Sequence, residues 1–430
     1  MTAVVLLILI VSLYFTIRKQ YVLVFIFSFL GSVSDSASPT IILDKIFPSF
    51  SYLMCALVFV AALLSFFQRS SENKRIVPKH YYSVAIAFIV AVFFIRFLQE
   101  LSVGINIKVI ARFVTFCVED GIAPLLILLC WIGRFDIKKY LFILAFSHCI
   151  LAFLTLYGEL FGVPFFSLLN YVLYADADAL IGGTGLNGEP LLYRGDFLSI
   201  FQNKYENFIF AYFGNPNVLG FYSGTLCLLA VMNILNKERL IISSVAIVLG
   251  VLLWLDAGTK APLLAVVFII MYHLWLKNKK LNLLPVLLIL LVFLAPIAIS
   301  LYNNQLSQGV TGSVHTREDL IREEWPFFMN HFLLGRSSLD HLEASPHQLW
   351  LLYGTELGII GLLFALLYYY VFPFMDLKKK RSTYAVGVFA LLFLVSNTNN
   401  FSAIVLFVTL FVSFVAEIYL DGHNPKLIIK

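Results

Sequence analysis

The chain has 430 residues, 60% of them hydrophobic and 13% charged, with a formal net charge of +5 at neutral pH. A soluble domain carries roughly a quarter charged residues, so this composition excludes a soluble globule and reads as an all-α polytopic membrane protein. The lysines and arginines fall in short clusters between apolar runs rather than on one basic face, which argues against a nucleic-acid partner.

A membrane-spanning helix needs about 20 apolar residues, with roughly 17–25 tolerated. In chain order the candidate runs are 2–17, 21–37, 50–67, 81–99, 109–132, 140–159, 211–235, 240–257, 261–276, 281–301, 347–374, 383–397 and 402–420. They predict about 12–13 transmembrane helices in one integral membrane domain over residues 1–430. Met1–Thr16 lacks a basic start and a polar, small-residue cleavage site, so no cleavable signal peptide is expected. Of the 30 lysines and arginines, 20 lie in every second connection, which makes that side cytoplasmic by the positive-inside rule. The two long connections, about 160–210 and 302–346, fall on the opposite, extracytoplasmic side. Long polar loops on one face point to work done at that face. The five cysteines sit in or beside apolar runs without CxxC spacing, so they read as small core residues.

Several stretches stand out from the apolar background. Run 109–132 is interrupted by Lys108, Arg112, Glu119 and Asp120 and kinked by Pro124. Arg112 and Glu119 share one helix face, as an internal ion pair or as a contact to an acceptor or a diphosphate. In the loop at 160–210, Asp176-Ala177-Asp178 is discounted as a nucleotide-sugar site because nucleotide sugars are not expected outside the cytoplasm. Arg194 and Lys204 in the same loop are better placed to meet an anionic head group. Gly214-Asn215-Pro216-Asn217-Val218-Leu219-Gly220 opens the next helix, and its Asn-Pro-Asn leaves amide groups of Asn215 and Asn217 at a helix start. It also reads as a plain helix-entry turn. Asp256-Ala257-Gly258-Thr259-Lys260-Ala261-Pro262 is a tight hairpin where Lys260 could hold a phosphate as a point charge. The glycine-rich loops of nucleotide-binding proteins are absent.

Residues 311–346 read as a short helix, a turn and coil. Ile321, Trp325, Phe328 and Phe332 form one apolar stripe, expected to lie in the membrane interface. Arg322 can pair with Glu318 one turn away, an interaction of a few tenths of a kcal/mol. Arg317 and Arg336 have no such local partner, and guanidinium groups suit bidentate binding of a diphosphate. His347 follows at the mouth of the next helix, on a stripe with Gly354, Gly358 and Gly361 that lets a neighbouring helix approach. Its ordinary pKa of about 6.5 suits proton transfer, although a histidine there can also simply cap a helix. Glu356, nine residues on, is out of phase with it and is expected to hydrogen-bond between helices. His315, His331, His341 and His347 match no common zinc spacing, so no metal site is expected.

Three of these segments resemble, in order and context, the O-antigen polymerase/ligase superfamily: the Gly-Asn-Pro-Asn start at Gly214, the Asp256–Pro262 hairpin, and the stretch from Arg317 through Trp325, Leu334-Gly335 and His347 to the Glu356-x-Gly358-x-x-Gly361 pattern. The resemblance spans about residues 210–375. Two departures stand in it: Gln348 replaces the asparagine usual after the histidine, and Lys260 stands where many members carry arginine. The resemblance implies a GT-C-type inverting glycosyltransferase of the plasma membrane that works at the extracytoplasmic face without metal or other cofactor. Its donor would be an oligosaccharide on undecaprenyl diphosphate, its acceptor a second glycan, and a chain-length regulator is a candidate partner. His347 would be the base or the acceptor-positioning group. Arg317, Arg336, Lys260, Arg194 and Arg322 would meet the diphosphate, with Asn215, Asn217 and Gln348 as further substrate contacts. A repeat-unit polymerase is the preferred reading, an O-antigen ligase the alternative. A lipid-oligosaccharide flippase or transporter is the competing class, and it would predict charges along the membrane midplane, repeat symmetry and broken helices in both halves.

Overall fold

In a computed structural model, the described residues are 79–103, 137–161, 216–257, 261–277, 311–336, 348–379, 382–397 and 404–419, with a few positions before residue 19. They form ten α-helices: α1 Lys79–Val103, α2 Ile137–Phe161, α3 Pro216–Leu235, α4 Leu240–Ala257, α5 Ala261–Lys277, α6 Thr311–Asn330, α7 Leu349–Ala365, α8 Phe372–Lys379, α9 Thr383–Ser396 and α10 Ile404–Tyr419. A π-helical turn, Leu366–Val371, joins α7 to α8. No strand occurs among the described residues. The chain is an all-α polytopic membrane protein. Four helices are long and apolar enough to cross a membrane, over Lys79–Gln99, Ile137–Leu154, Val218–Leu235 and Leu349–Lys378. Runs 2–17, 21–37, 50–67, 109–132 and 281–301 lie outside the described residues or barely touch them.

These helices form because their backbone polar groups must be satisfied within the segment once water is removed. Their apolar side chains then divide between two environments. On α1, Tyr81, Ala85, Phe88, Val92 and Ile95 are buried, while Ile86, Val90, Phe93, Phe94 and Phe97 are exposed. The first set recurs every three or four residues and faces the bundle. The second is a large apolar surface of the kind that lipid covers. Helix α3 is the hub of the bundle, packing on α2, α4, α5 and α9. Close approach to α5 depends on Gly224, where a Cβ would overlap Pro262 Cβ and come within 2.9 Å of its Cγ. The helix after the Gly-Asn-Pro-Asn start is thereby joined to the end of the Asp256–Pro262 hairpin. The hairpin motif thus meets the helix that the other motif opens, four residues past that motif.

The sequence predicts 347–374 as one span with a glycine stripe; the segment is long and apolar enough, but its helix and the stripe are not continuous. Gly358 has φ 65° and ψ −152°, a conformation that splits α7 in two. This region of backbone space is open essentially to glycine alone. The chain then doubles back. The rings of Tyr353 and Tyr369 have centroids 6.4 Å apart, whereas a straight helix would separate the two residues by about 24 Å. The Phe364 ring stacks on Tyr353 at 5.9 Å and on Phe88 of α1 at 3.7 Å. A Cβ on Gly361 would overlap the Tyr353 carbonyl oxygen. Gly354 does face a neighbouring helix, through the Phe328 ring of α6. Gly358 and Gly361 serve the break instead, and they share no continuous helical phase with Gly354.

The bundle has two chemically distinct ends. Near its start, α1 meets α8, where buried Asp376 accepts a hydrogen bond from the Tyr81 hydroxyl at 3.0 Å and lies 3.3 Å from His80 Nε2. This is the lysine-rich end, beside Lys378 and Lys379. Sixteen residues along α1, about 24 Å away, Arg96 and Gln99 reach the segment 331–336 that ends the long loop.

Candidate functional site

The site is built where a broken helix meets the end of that loop. Breaking α7 at Gly358 frees backbone groups that water cannot reach, and each such group left bare is costly. The loop supplies the missing partners. The Ile359 N–H donates to the Phe332 carbonyl at 2.7 Å, and the Thr355 carbonyl accepts from the Arg336 N–H at 2.8 Å. The fit requires Gly335, whose φ is 72° and where a Cβ would lie 2.5 Å from the Glu356 carbonyl oxygen. So Gly335 and Gly358 are both needed for segment 331–336 to lie in the gap of α7.

Into this junction three charged side chains are drawn. Glu356 pairs through one oxygen with Arg96 Nη2 at 2.9 Å and through the other with Arg336 Nη2. All three residues are almost fully buried. Arg96 Nη1 also donates to Gln99 Oε1 at 2.7 Å and, more weakly, to the Arg336 carbonyl at 3.4 Å. Gln99 Nε2 donates to the carbonyls of Leu334 at 2.7 Å and Arg336 at 3.0 Å. Two guanidinium groups share one carboxylate, so the trio carries a net positive charge. A buried ion pair adds little stability over an apolar packing of the same volume.

Helix α6 closes one side. Phe328 of the predicted apolar stripe is buried against Gly354 and within ring contact of Trp325, at 5.5 Å. The stripe thus packs in part on α7, and only Trp325 and Phe332 keep a large exposed face. Beside the stripe, Glu324 is 3% exposed, and its Oε2 has no hydrogen-bond partner among the described residues. Burial pushes its carboxyl above the ordinary carboxylate value, with Arg336 pulling it back down and Glu323 adding to the rise.

The residues expected from the sequence are distributed unevenly. Arg336 sits at the centre of the junction, and its partner Glu356 is twenty positions on in sequence. Glu356 does bond between helices, as its spacing suggested. Gln348 is buried just before α7 in extended backbone, and its carbonyl accepts the Leu352 N–H at 2.9 Å. Arg322 is exposed on α6. Arg317 and Asn217 lie on the backbones of α6 and α3, with side chains outside the described set. His347, Lys260, Arg194 and Asn215 lie outside the described residues. Among the described residues no group of histidine, cysteine, aspartate or glutamate side chains could hold a metal ion. Arg96, Gln99 and Glu324 were missed by the sequence reading. An arginine inside an apolar run is by itself a signal of function, and Arg96 carried that signal.

Residues 245–366 match the family model described as O-antigen ligase. That stretch holds the hairpin, helix α6, the loop end and the broken helix. The match supports the O-antigen polymerase/ligase superfamily for this chain. No curated protein matches the chain. Members of the superfamily are membrane glycosyltransferase-like enzymes, and the general function of this chain is of that polymerase or ligase type. The Arg96 and Gln99 arm lies outside the matched stretch, so the amino-terminal half contributes directly to the junction.

Proposed function

We propose that the chain is a polysaccharide repeat-unit polymerase. It moves a glycan from undecaprenyl diphosphate to a lipid-linked acceptor sugar at the extracytoplasmic face of the plasma membrane, as an inverting GT-C-type transferase. The observation that carries this reading is the buried, net-positive Arg96–Glu356–Arg336 junction, whose Arg336 and Glu356 lie in the family match, at the end of the bundle opposite the lysine-rich connections. In the reaction an acceptor hydroxyl oxygen attacks the anomeric carbon from the face opposite the diphosphate. The new C–O bond forms as the bond to diphosphate breaks, and the electron pair leaves on the diphosphate. His347 takes the hydroxyl proton. Arg336, Arg317, Lys260, Arg194 and Arg322 meet the growing negative charge, which is where preorganised cations act most strongly. Asn215, Asn217 and Gln348 orient the sugars, and a chain-length regulator acts as a partner.

The ligase reading is kept because the matched family description names that activity. Deletion of the chain separates the two. Loss of a polymerase leaves single repeat units, whereas loss of a ligase leaves long polymers on undecaprenyl diphosphate. Single units trapped on the cytoplasmic leaflet would reject a transferase altogether. His347→Ala is expected to lower the rate about 10²–10⁴-fold at equal protein level, the usual worth of a general base. Wild-type glycan length in that variant would remove His347 from the mechanism. Cysteine placed at Ser313 is expected to react with an impermeant reagent in intact cells, and labelling only after lysis would reverse the assigned face.

A further inference from the structure

The family match begins at residue 245, well after α1, yet α1 supplies half of the junction's side chains. We infer that Arg96, Gln99 and Glu356 form a positioning lock that holds the loop end 331–336 in the break of α7 and thereby aims Arg336 at the donor diphosphate. The inference rests on the proposed transferase reading and adds residues to it.

Three kinds of contact converge on Arg336. Its N–H is tied to Thr355 of α7 at 2.8 Å. Its carbonyl accepts from Gln99 at 3.0 Å and from Arg96 at 3.4 Å, both on α1. Its guanidinium is held by Glu356, which Arg96 anchors from the other side at 2.9 Å. One residue is thus fixed at its donor, its acceptor and its side chain by two separate helices. Such redundancy exceeds what is needed to satisfy a loop end, since one backbone bond to each group would serve. It suits a cation that must stand still while charge develops next to it, because a preorganised donor costs no reorganisation during the reaction. Arg96 and Gln99 touch no reacting atom in this account. They are positioning residues, and they act through Arg336.

A positioning role is separable from a merely structural one by coupling. Residues that act as a unit give strongly non-additive losses. The test uses the full chain, purified in detergent, with undecaprenyl-diphosphate-linked repeat units extracted from a strain deleted for this chain as donor. Arg96→Gln, Arg96→Lys, Arg336→Ala and the double variant Arg96→Gln/Arg336→Ala are compared as kcat/KM per folded protein, the folded fraction being read from monodisperse elution. Arg96→Gln is expected to lower kcat/KM about 10–100-fold, the scale of a small misplacement in an active site. Arg96→Lys is expected to recover part of the loss, and the double variant to fall no lower than Arg336→Ala within about twofold, the allowance for independent effects. If Arg96→Gln folds poorly, Gln99→Leu keeps every charge and removes the two carbonyl bonds together with the bond from Arg96. It should show a smaller loss with the same non-additivity. Full kcat/KM in Arg96→Gln or Gln99→Leu, or losses that multiply in the double variant, overturns the lock while leaving the transferase reading intact. Wild-type kcat/KM in Arg336→Ala overturns the lock together with the cation role of Arg336.

Discussion

Replacing Gly358 with alanine distinguishes a broken α7 from a continuous one by the sign of the effect. In a straight apolar helix, Gly→Ala stabilises by about 0.8–1.0 kcal/mol, because glycine gives up more backbone freedom. In this structure the same change meets two penalties. The backbone at φ 65° and ψ −152° is strained for any residue with a Cβ, at a cost of about 1–3 kcal/mol. The new Cβ would also stand 2.5 Å from the Leu333 carbonyl oxygen and 2.7 Å from that of Phe332. Relief of that clash pushes the loop out of the gap and loses the Ile359 to Phe332 hydrogen bond, worth about 0.5–1.5 kcal/mol net. The expected destabilisation is about 2–4 kcal/mol from these two sources together. Unfolding of the purified protein in mild detergent, followed by denaturant or heat, reads it directly. Gly354→Ala is the control, because its Cβ would sit 3.3 Å from the movable Phe328 ring in ordinary helical backbone. That variant is expected within about 1 kcal/mol of wild type. A Gly358→Ala protein as stable as wild type, or more stable, would refute the broken helix and the docked loop with it.

Gly224→Ala places a methyl group onto Pro262 between α3 and α5, and neither backbone can yield cheaply. It is expected to destabilise by about 1–3 kcal/mol, the usual cost of overpacking, and unchanged stability would mean that α3 and Pro262 do not meet. Asp376→Ala leaves the buried Tyr81 hydroxyl without its acceptor and is expected to cost about 1–3 kcal/mol, whereas Asp376→Asn keeps a carbonyl and should cost less. Equal losses in the two would show that the hydrogen bond is not what matters there. Glu324 holds its proton to a higher pH in the folded protein than in the unfolded chain, so stability falls as pH rises through the interval above its ordinary value of 4.5. Glu324→Gln is therefore expected to raise the unfolding temperature at neutral pH and to leave it unchanged once both states are protonated. The same increment at low pH would assign the gain to packing rather than to charge.

Much of this protein was legible one segment at a time. The runs 81–99, 140–159, 240–257, 261–276, 383–397 and 402–420 coincide closely with helices because length and apolarity alone decide whether a segment must satisfy its own backbone. The stretch that holds Arg336, Glu356 and Gly358 also stood out in the sequence, since polar and charged residues are expensive there. What escaped was every relation between distant segments. Gly358 lies in a pattern that reads equally well as a packing stripe, and only its positive φ shows that the helix stops. The charge of Arg336 is met by Glu356, twenty residues on, while Arg96 arrives from 240 residues upstream. Periodicity describes which face a residue takes on its own helix. Which groups meet across faces depends on how the helices pack and where the chain reverses, and those are properties of the assembled bundle alone.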